Sequence, residues 1–305
     1  MSAARHDALA QSIKQRLMNL SQRQNEQFNL VLVRFAVERL LYRLTRTPHS
    51  REFVLKGAML FAAWSTRPHR PTQDVDLLGF GQPEADRLVK VFRDVCAAHV
   101  EPDGLVFDRE SVTAEPIRED AVYDGIRVRL LAHLGTARVP MQIDIGFGDV
   151  VSPEPRELVF GPMLDLPAPR LRTYPPETVI AEKFEAMLSL GMANSRMKDF
   201  YDLWTLSRTM SFELTTLRTA VRATAERRKT PLPADPPEGL TGQFADDASK
   251  QAQWKAFVRR LGEGHAAPSL GEVVRVIAEF LQPVLQEGDT AGQHWPPGGP
   301  WQANV

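Results

Sequence analysis

Two aspartates stand two residues apart inside an apolar run, in the stretch RPTQDVDLLGF at residues 70–80. If the run is a β-strand, Asp74 and Asp76 project from the same face, because successive side chains of a strand alternate. Two neighbouring carboxylates repel each other and resist desolvation unless something positive lies between them. A metal ion, a basic side chain or solvent must therefore lie beside these two carboxylates.

Composition limits the classes of protein that this chain can belong to. Of its 305 residues, 43% are apolar and 25% are charged, which is typical of a globular domain. Since 37 basic residues balance 38 acidic ones, any nucleic-acid surface has to be a local patch. The single cysteine, Cys96, excludes an intrachain disulfide and a cysteine zinc site. With no signal-type segment and no long apolar run, we expect a cytoplasmic protein with no membrane partner.

Hydrophobic periodicity predicts an α+β chain. Apolar spacings of three and four predict two helices within residues 5–47 and another in QPEADRLVKVFRDVCAAHV. Strands are predicted at FVLK, DVDLLGF, LVFDRESVTAEPI, GIRVRLLAHL and VPMQIDIGF, the last two forming a hairpin. From Pro176 onward the pattern is helical. We predict a first domain at 1–170, a helical domain at 171–290 and a flexible tail at 291–305, with the proline-rich stretch before Pro176 as an extended connector.

A third aspartate, Asp144 in QIDIG, has apolar neighbours like the first two. Three carboxylates on neighbouring strands are what a two-metal phosphoryl-transfer site requires, since magnesium prefers oxygen ligands. The alternative is that D-x-D ends an edge strand with both carboxylates in solvent. Upstream, Lys56-Gly57 stands at a strand-to-helix junction, where backbone N–H groups bind phosphate. A glycine that only makes a tight turn is the alternative there.

An ordered set of segments resembles a known family. ERLLYRL, FVLKGAMLF, TQDVDLL, QIDIGFGD, AEKFEAML and RMKDFYDLW look like the AbiEii/AbiGii nucleotidyltransferase toxins over residues 25–210. The resemblance implies a polymerase-β-like nucleotidyltransferase domain, with a mixed sheet flanked by helices, followed by a helical domain. It also implies transfer of a nucleoside monophosphate from an NTP to an acceptor, tRNA in the better understood members.

The resemblance implies a role for each matching residue. Asp74 and Asp76 match the metal-binding D-x-D, and Asp144 matches the third carboxylate, which holds metal or helps to deprotonate the attacking hydroxyl. Lys183 matches the lysine that faces the triphosphate, and Asp199 matches a later acidic motif with Asp202 as its partner. The full prediction is catalytic Asp74, Asp76, Asp144, Lys183 and Asp199; nucleotide-binding Lys56, Gly57, Ala58, Lys183 and Arg196; and metal-binding Asp74, Asp76 and Asp144.

Several positions allow a simpler explanation. The family has Gly-Ser or Gly-Gly where this chain has Gly57-Ala58, so a serine hydroxyl contact is lost while the backbone N–H stays. Lys183 could extend to solvent, as lysines on apolar helices do. Lys198 and Asp202 could pair on a helix surface at i,i+4 spacing. Arg196, and the basic run at 227–229, could contact phosphate or only solvate helix ends.

The sequence therefore predicts a nucleotidyltransferase that uses Mg²⁺ or Mn²⁺ and an NTP. Its expected acceptor is tRNA, and its expected role is growth inhibition as a toxin with a separately encoded antitoxin protein. Two alternatives stay open: the same chemistry on a small molecule, as in antibiotic modification, and a non-catalytic module that binds nucleotide or a partner.

Overall fold

The computed structural model describes residues 3–64, 70, 72, 74–117, 125–261, 267–286, 288 and 291–303. These residues form two compact units. Unit 1 comprises the described residues of Met1–Gly148 and Arg156–Thr173, and unit 2 those of Asp149–Pro155 and Tyr174–Val305. The two domains predicted at 1–170 and 171–290 stay a prediction. No helix in the described ranges has the length and apolar character needed to cross a bilayer.

Unit 1 is a sheet of seven strands flanked by helices. Its helices are α1 (Ala3–Gln24), α2 (Phe28–Thr45), α3 (Met59–Trp64) and α4 (Ala85–Ala97), with a short 3-10 helix at Pro48–Glu52. Its strands are β1 (Phe53–Lys56), β2 (Val75–Gly79), β3 (Leu105–Ile117), β4 (Gly125–Leu134), β5 (Ala137–Phe147), β6 (Arg156–Val159) and β7 (Arg170–Thr173). The predicted helices and strands of this region are confirmed.

The sheet is mixed, with the order β3-β4-β5-β2-β1-β7-β6. β3, β4 and β5 form an antiparallel meander, β5 pairs in parallel with β2, and β2 pairs antiparallel with β1. β7 then pairs in parallel with β1, and β6 pairs antiparallel with β7. The connector prediction is wrong here, because two pieces of the proline-rich stretch add strands to the sheet. The predicted mixed sheet flanked by helices is confirmed.

The two faces of the β3–β5 meander differ in burial. Along β4 and β5 every second residue is buried, which is the alternation expected of a sheet with one face on the core. The buried face carries Val128, Ile143 and Ile145, which are fully enclosed. The opposite face is polar and reaches solvent, and it carries Arg127, Arg129, Gln142 and Asp144.

A buried ion-pair network fastens α2 to the turn before β3. Arg43 donates to both Asp103 oxygens, at 2.6 and 3.0 Å, and Arg39 Nε donates to Oδ2 at 3.1 Å. All three side chains are almost completely buried, where an unpaired charge is costly. The pairing explains why an apolar helix carries two inward-facing arginines.

Unit 2 is mainly helical. Its helices are α5 (Pro176–Leu190), α6 (Met197–Thr209), α7 (Leu214–Arg228), α8 (Gly242–Asp246), α9 (Ala248–Leu261) and α10 (Leu270–Leu285), and short strands are β8 (Phe212–Glu213), β9 (Gln293–Trp295) and β10 (Gln302–Ala303). Local signals explain the ends: Pro176 begins α5 and Gly191, with a φ of 47°, ends it. The Ser269 side chain accepts a hydrogen bond from the Glu272 N–H and caps α10.

The C-terminal residues are packed, so the predicted flexible tail is wrong for residues 291–303. β9 pairs with β8 and β10, and the Trp295 ring is buried beside Phe280. Trp295 Nε1 donates to the Ser207 carbonyl at 2.7 Å, and Trp301 Nε1 donates to the Phe280 carbonyl at 3.0 Å. The buried indole of Trp295, the two tryptophan N–H hydrogen bonds and the strand pairing of β9 together offset the cost of ordering this Pro/Gly-rich segment.

We expect Trp295→Ala to destabilise the protein by about 3–5 kcal/mol, because it opens a cavity and removes one of the hydrogen bonds to the Ser207 carbonyl. Urea unfolding measures the effect. Leu190→Ala, at an exposed position in the same unit, is the control and should cost less than about 1 kcal/mol. An unchanged unfolding midpoint after deletion of residues 291–305 would instead support a free tail.

Candidate active site

β2 lies between β1 and β5 and sets the position of Asp76. The register pairs Asp76 with Lys56 on β1 and with Asp144 on β5. Hydrogen-bonded strands lie about 4.8 Å apart, so the Asp76 and Asp144 carboxylates are neighbours on one face of the sheet. Both residues are half-buried, while Asp74 precedes β2 by one residue and is exposed. The structure thus brings Asp76 and Asp144 together, as the sequence predicts.

Gly57 makes room for the Asp76 carboxylate. It follows β1 with a φ of 76°, a conformation that L-residues with a side chain rarely adopt. A Cβ atom at this position would lie 2.0 Å from Asp76 Oδ2 and 2.8 Å from Asp76 Cβ. Both the backbone and the space therefore require glycine, and the reading of Gly57 as only a turn residue is incomplete.

Arg127 provides a positive charge beside the third aspartate. Arg127 and Asp144 are register partners on β4 and β5. Arg127 Nε donates to Oδ1 at 2.8 Å and Nη2 donates to Oδ2 at 2.8 Å, which is the bidentate geometry of a strong ion pair. Gln142 Nε2 lies 3.4 Å from the same Oδ2. The Arg127 guanidinium thus supplies part of the positive charge that neighbouring carboxylates require.

The donor set fits a hard divalent cation in chemistry but not as a ready-made cage. Asp74, Asp76 and Asp144 offer only carboxylate oxygens, the ligands that magnesium prefers. Among the residues that the structure describes, however, no three Asp, Glu, His or Cys side chains converge as a metal site. Asp76 and Asp144 are adjacent, but Asp144 is held by Arg127 and Asp74 lies outside β2, so the three-aspartate metal site stays a prediction.

Unit 2 contains a buried ion cluster around Lys183. Lys183 Nζ lies 2.6 Å from Asp199 Oδ1 and 2.7 Å from Asp202 Oδ2. The lysine side chain is only 14% exposed, and those of Asp199 and Asp202 are 2% and 0% exposed. Lys183 therefore does not extend to solvent. The surface pair of Asp202 with Lys198 is also wrong, because Asp202 is buried and Lys198 is exposed.

Arg196 extends this cluster to the surface. Its Nε lies 2.8 Å from Asp199 Oδ2, and its side chain is half exposed. Its backbone N–H donates to Asn194 Oδ1 at 2.8 Å, which fixes the chain where α6 begins. The Asp199 carboxylate is thus shared between a buried ammonium and a guanidinium at the surface. Lys183, Arg196, Asp199 and Asp202 together are balanced in charge.

A second cluster in unit 2 was missed by the sequence analysis. Arg228 lies 2.7 Å from Glu185, 3.3 Å from Asp149 and 3.5 Å from Glu182. Burial lowers the pKa of Arg228, but the surrounding carboxylates outweigh burial and raise it. Arg228 is therefore paired with carboxylates within unit 2, while Arg227 and Lys229 are exposed, and a phosphate contact by this basic run stays a prediction.

Tyr174 belongs to the same cluster. Burial, followed by the charges of Glu182 and Asp149, raises the pKa of Tyr174 well above its usual value. The phenol therefore keeps its proton, and its hydroxyl group donates to Glu182 Oε1 at 3.2 Å. Glu182 and Lys183 are consecutive on α5 and pair with different clusters, as expected for neighbours on a helix. The run of acidic and basic residues at 182–185 was the signal available in the sequence.

A comparison with family models identifies the class of protein. The family described as nucleotidyl transferase AbiEii toxin, type IV toxin–antitoxin system, matches residues 39–276. Since the match covers most of the chain, the protein belongs to the AbiEii nucleotidyltransferase toxin family. It is therefore a nucleotidyltransferase, and membership implies an NTP substrate and a cognate antitoxin.

Two solved structures from Helicobacter pylori are similar to this chain. One is a candidate nucleotidyltransferase, with 15% identity and a TM-score of 0.47, covering 81% of this chain and 92% of its own. The other is JHP933, with 14% identity and a TM-score of 0.46, covering 81% of this chain and 88% of its own. No match was found among curated proteins.

We expect Gly57→Ala to lower kcat by at least about tenfold, or about 1.4 kcal/mol, because the new Cβ displaces the Asp76 carboxylate. The positive φ adds a strain of about 1–2 kcal/mol to the folded state. Steady-state nucleotide transfer and urea unfolding separate the two effects. Gly161→Ala, where a Cβ meets open space, is the control and should change neither quantity.

Asp202→Asn should destabilise the protein by about 1.5–3 kcal/mol, because a buried charged hydrogen-bonding group loses its charge beside Lys183. Chemical denaturation checks this, with the exposed Asp246→Asn as the control in the same unit. A cost equal to that of Asp246→Asn would show that Lys183 does not depend on Asp202.

Proposed function

We propose that this chain is a Mg²⁺-dependent nucleotidyltransferase that transfers a nucleoside monophosphate from an NTP to tRNA. As the toxin of a toxin–antitoxin pair, it would block translation in the cytoplasm and stop growth until its antitoxin acts. The observation that carries the proposal is the adjacency of Asp76 and Asp144 on paired parallel strands, with Gly57 pressed against Asp76. Mn²⁺ is the expected substitute for Mg²⁺.

In unit 1, we propose that the aspartates bind the metal ion and that the loop after β1 binds the phosphates. Asp74 and Asp76 hold the divalent cation, and Asp144 either joins them or orients the attacking hydroxyl. Lys56 and the backbone of Gly57 and Ala58 contact the triphosphate. Ala58 keeps its N–H although its side chain is buried, so the absence of a serine removes one hydroxyl contact and leaves the backbone contact.

In unit 2, we propose that Lys183 and Arg196 contact the triphosphate, with Asp199 between them. Asp199 contacts both cations, at 2.6 Å and 2.8 Å, and so fixes where their charges lie. The guanidinium of Arg196 is half exposed and therefore accessible to an anion. Arginine is suited to phosphate because its planar fork donates two parallel hydrogen bonds.

The reaction is an in-line displacement. An acceptor hydroxyl oxygen attacks the α-phosphorus, the bond from that phosphorus to the bridging oxygen breaks, and pyrophosphate leaves. The hydroxyl proton passes to Asp144 or to solvent. A bound divalent cation offsets the phosphate charges and so lowers the barrier. The protein contributes by placing the triphosphate and the hydroxyl in line.

A macromolecular acceptor is favoured by the open face of the β3–β5 meander. Near Asp144 this face carries Arg129, whose side chain is about half exposed, and towards the β4–β5 turn it carries Arg138, which is also exposed. Such a surface can contact the backbone of a nucleic acid, in which phosphate contacts supply much of the affinity. A small-molecule acceptor is the alternative outcome of the experiment.

The experiment incubates the purified chain with Mg²⁺, total tRNA and each α-labelled NTP in turn. We expect label on tRNA with the intact protein, and a loss of at least about a thousandfold with Asp76→Ala, or about 4 kcal/mol of barrier. Asp165→Ala, with an exposed side chain in unit 1, is the control and should transfer normally.

Two outcomes would contradict parts of the proposal. Label on small molecules of a cell extract, with none on tRNA, would replace the acceptor. Equal transfer by Asp76→Ala and the intact protein would remove the aspartates from the site.

A further inference from the structure

Arg127 makes contacts that bear on how the site acquires its cation. We propose that Arg127 is a positioning residue that withholds Asp144 from the divalent cation in the empty site, so that the cation and the nucleotide bind together. The inference rests on the proposed function, because it assigns a regulatory contact to the same aspartates.

The geometry of the pair occupies both oxygens of Asp144. Arg127 Nε and Nη2 each donate to a different Asp144 oxygen at 2.8 Å. The two residues are direct register partners, so the strands hold the pair in place. Their side chains are only 28% and 22% exposed, which weakens competition from water. A cation that is to be bound by Asp144 must first compete with this guanidinium.

The remaining aspartates make a weaker site without Asp144. A cation bound by Asp74 and Asp76 alone has two carboxylates, of which Asp74 is exposed to solvent. Magnesium dehydrates reluctantly and commonly completes its shell with substrate phosphates. A site of this kind binds the cation weakly until a triphosphate supplies further oxygens.

The triphosphate can also change the balance at Arg127. Its negatively charged oxygens form the same paired hydrogen bonds with a guanidinium that a carboxylate forms. When the nucleotide offers such a partner, the cost of separating Arg127 from Asp144 falls. Cation and nucleotide then increase each other's affinity, and this coupling is reciprocal by thermodynamic linkage.

A neighbouring arginine provides a matched control. Arg129 lies two residues along β4, on the same face, about 6.7 Å away at the usual rise of a strand. It pairs with Glu115 on β3, and both side chains are about half exposed. Replacing Arg129 removes the same charge from the same surface but leaves the Asp144 pair intact.

The experiment titrates Mn²⁺ into the full chain and follows the free ion by electron paramagnetic resonance, with and without a non-hydrolysable NTP analogue. We expect Arg127→Met to lower the Kd of Mn²⁺ by about tenfold or more without nucleotide, because Asp144 then lacks its guanidinium. The gain in Mn²⁺ affinity that the analogue gives should be smaller than in the wild type. Arg129→Met should bind Mn²⁺ with the wild-type Kd and the wild-type gain from the analogue.

Further variants keep the result interpretable. Arg127→Lys keeps the charge and tests the bidentate geometry, and it should give an intermediate Kd. Arg127→Met combined with Asp144→Asn should return Mn²⁺ affinity to the wild-type level or below. Circular dichroism confirms that each variant is folded, and Arg127→Lys carries the test if Arg127→Met is not.

The outcomes separate this inference from the proposed function. Equal or weaker Mn²⁺ binding by a folded Arg127 variant would overturn the inference while leaving tRNA labelling by the wild type unaffected. Absence of Mn²⁺ binding in every protein, with and without the analogue, would overturn the metal assignment as well. Tighter binding by both Arg127→Met and Arg129→Met would indicate a general field effect and would also overturn the inference.

Discussion

The parallel pairing of β2 with β5 is the constraint on which the site depends. It places Asp76 beside Asp144, and side chains on two neighbouring strands then have to accommodate two carboxylates. On one side, the chain after β1 must use glycine, because the Asp76 carboxylate fills the space of a Cβ. On the other side, β4 supplies Arg127 to hold Asp144. The strand pairing thus constrains the residue types at the positions next to the two carboxylates.

The helical unit manages charge in a different way. Its two ion clusters share the helix α5, with Glu182 in one and Lys183 in the other. Each combines groups that would be costly to bury alone. The Lys183 cluster reaches the surface through Arg196, whereas the Arg228 cluster is joined to the buried phenol of Tyr174. One cluster is therefore accessible to an anion, and the other serves mainly to hold unit 2 together.

Local patterns could predict much of the fold and part of the site. Alternation in GIRVRLLAHL and VPMQIDIGF predicted β4 and β5, because a half-buried strand requires it. Long-range pairing could not be predicted in this way. β6 and β7 lie in a proline-rich stretch whose strand character comes from pairing with each other and with β1. The packing of Trp295 likewise depends on α6 and α10, which no local window contains, whereas the Arg127 contact follows from the register of the predicted β4–β5 hairpin.

The path of the chain through the two units has a consequence for its synthesis. The chain leaves unit 1 after Gly148, contributes Asp149–Pro155 to unit 2, and then returns to complete unit 1 with β6 and β7. In the folded protein the Ser152 backbone is hydrogen-bonded to the Thr178 hydroxyl, and Asp149 forms an ion pair with Arg228. A ribosome emits these early residues before the last strands of unit 1, yet their partners follow much later. Ser152 can therefore meet Thr178 once the start of α5 has left the exit tunnel, whereas Asp149 can meet Arg228 only after the end of α7 has followed.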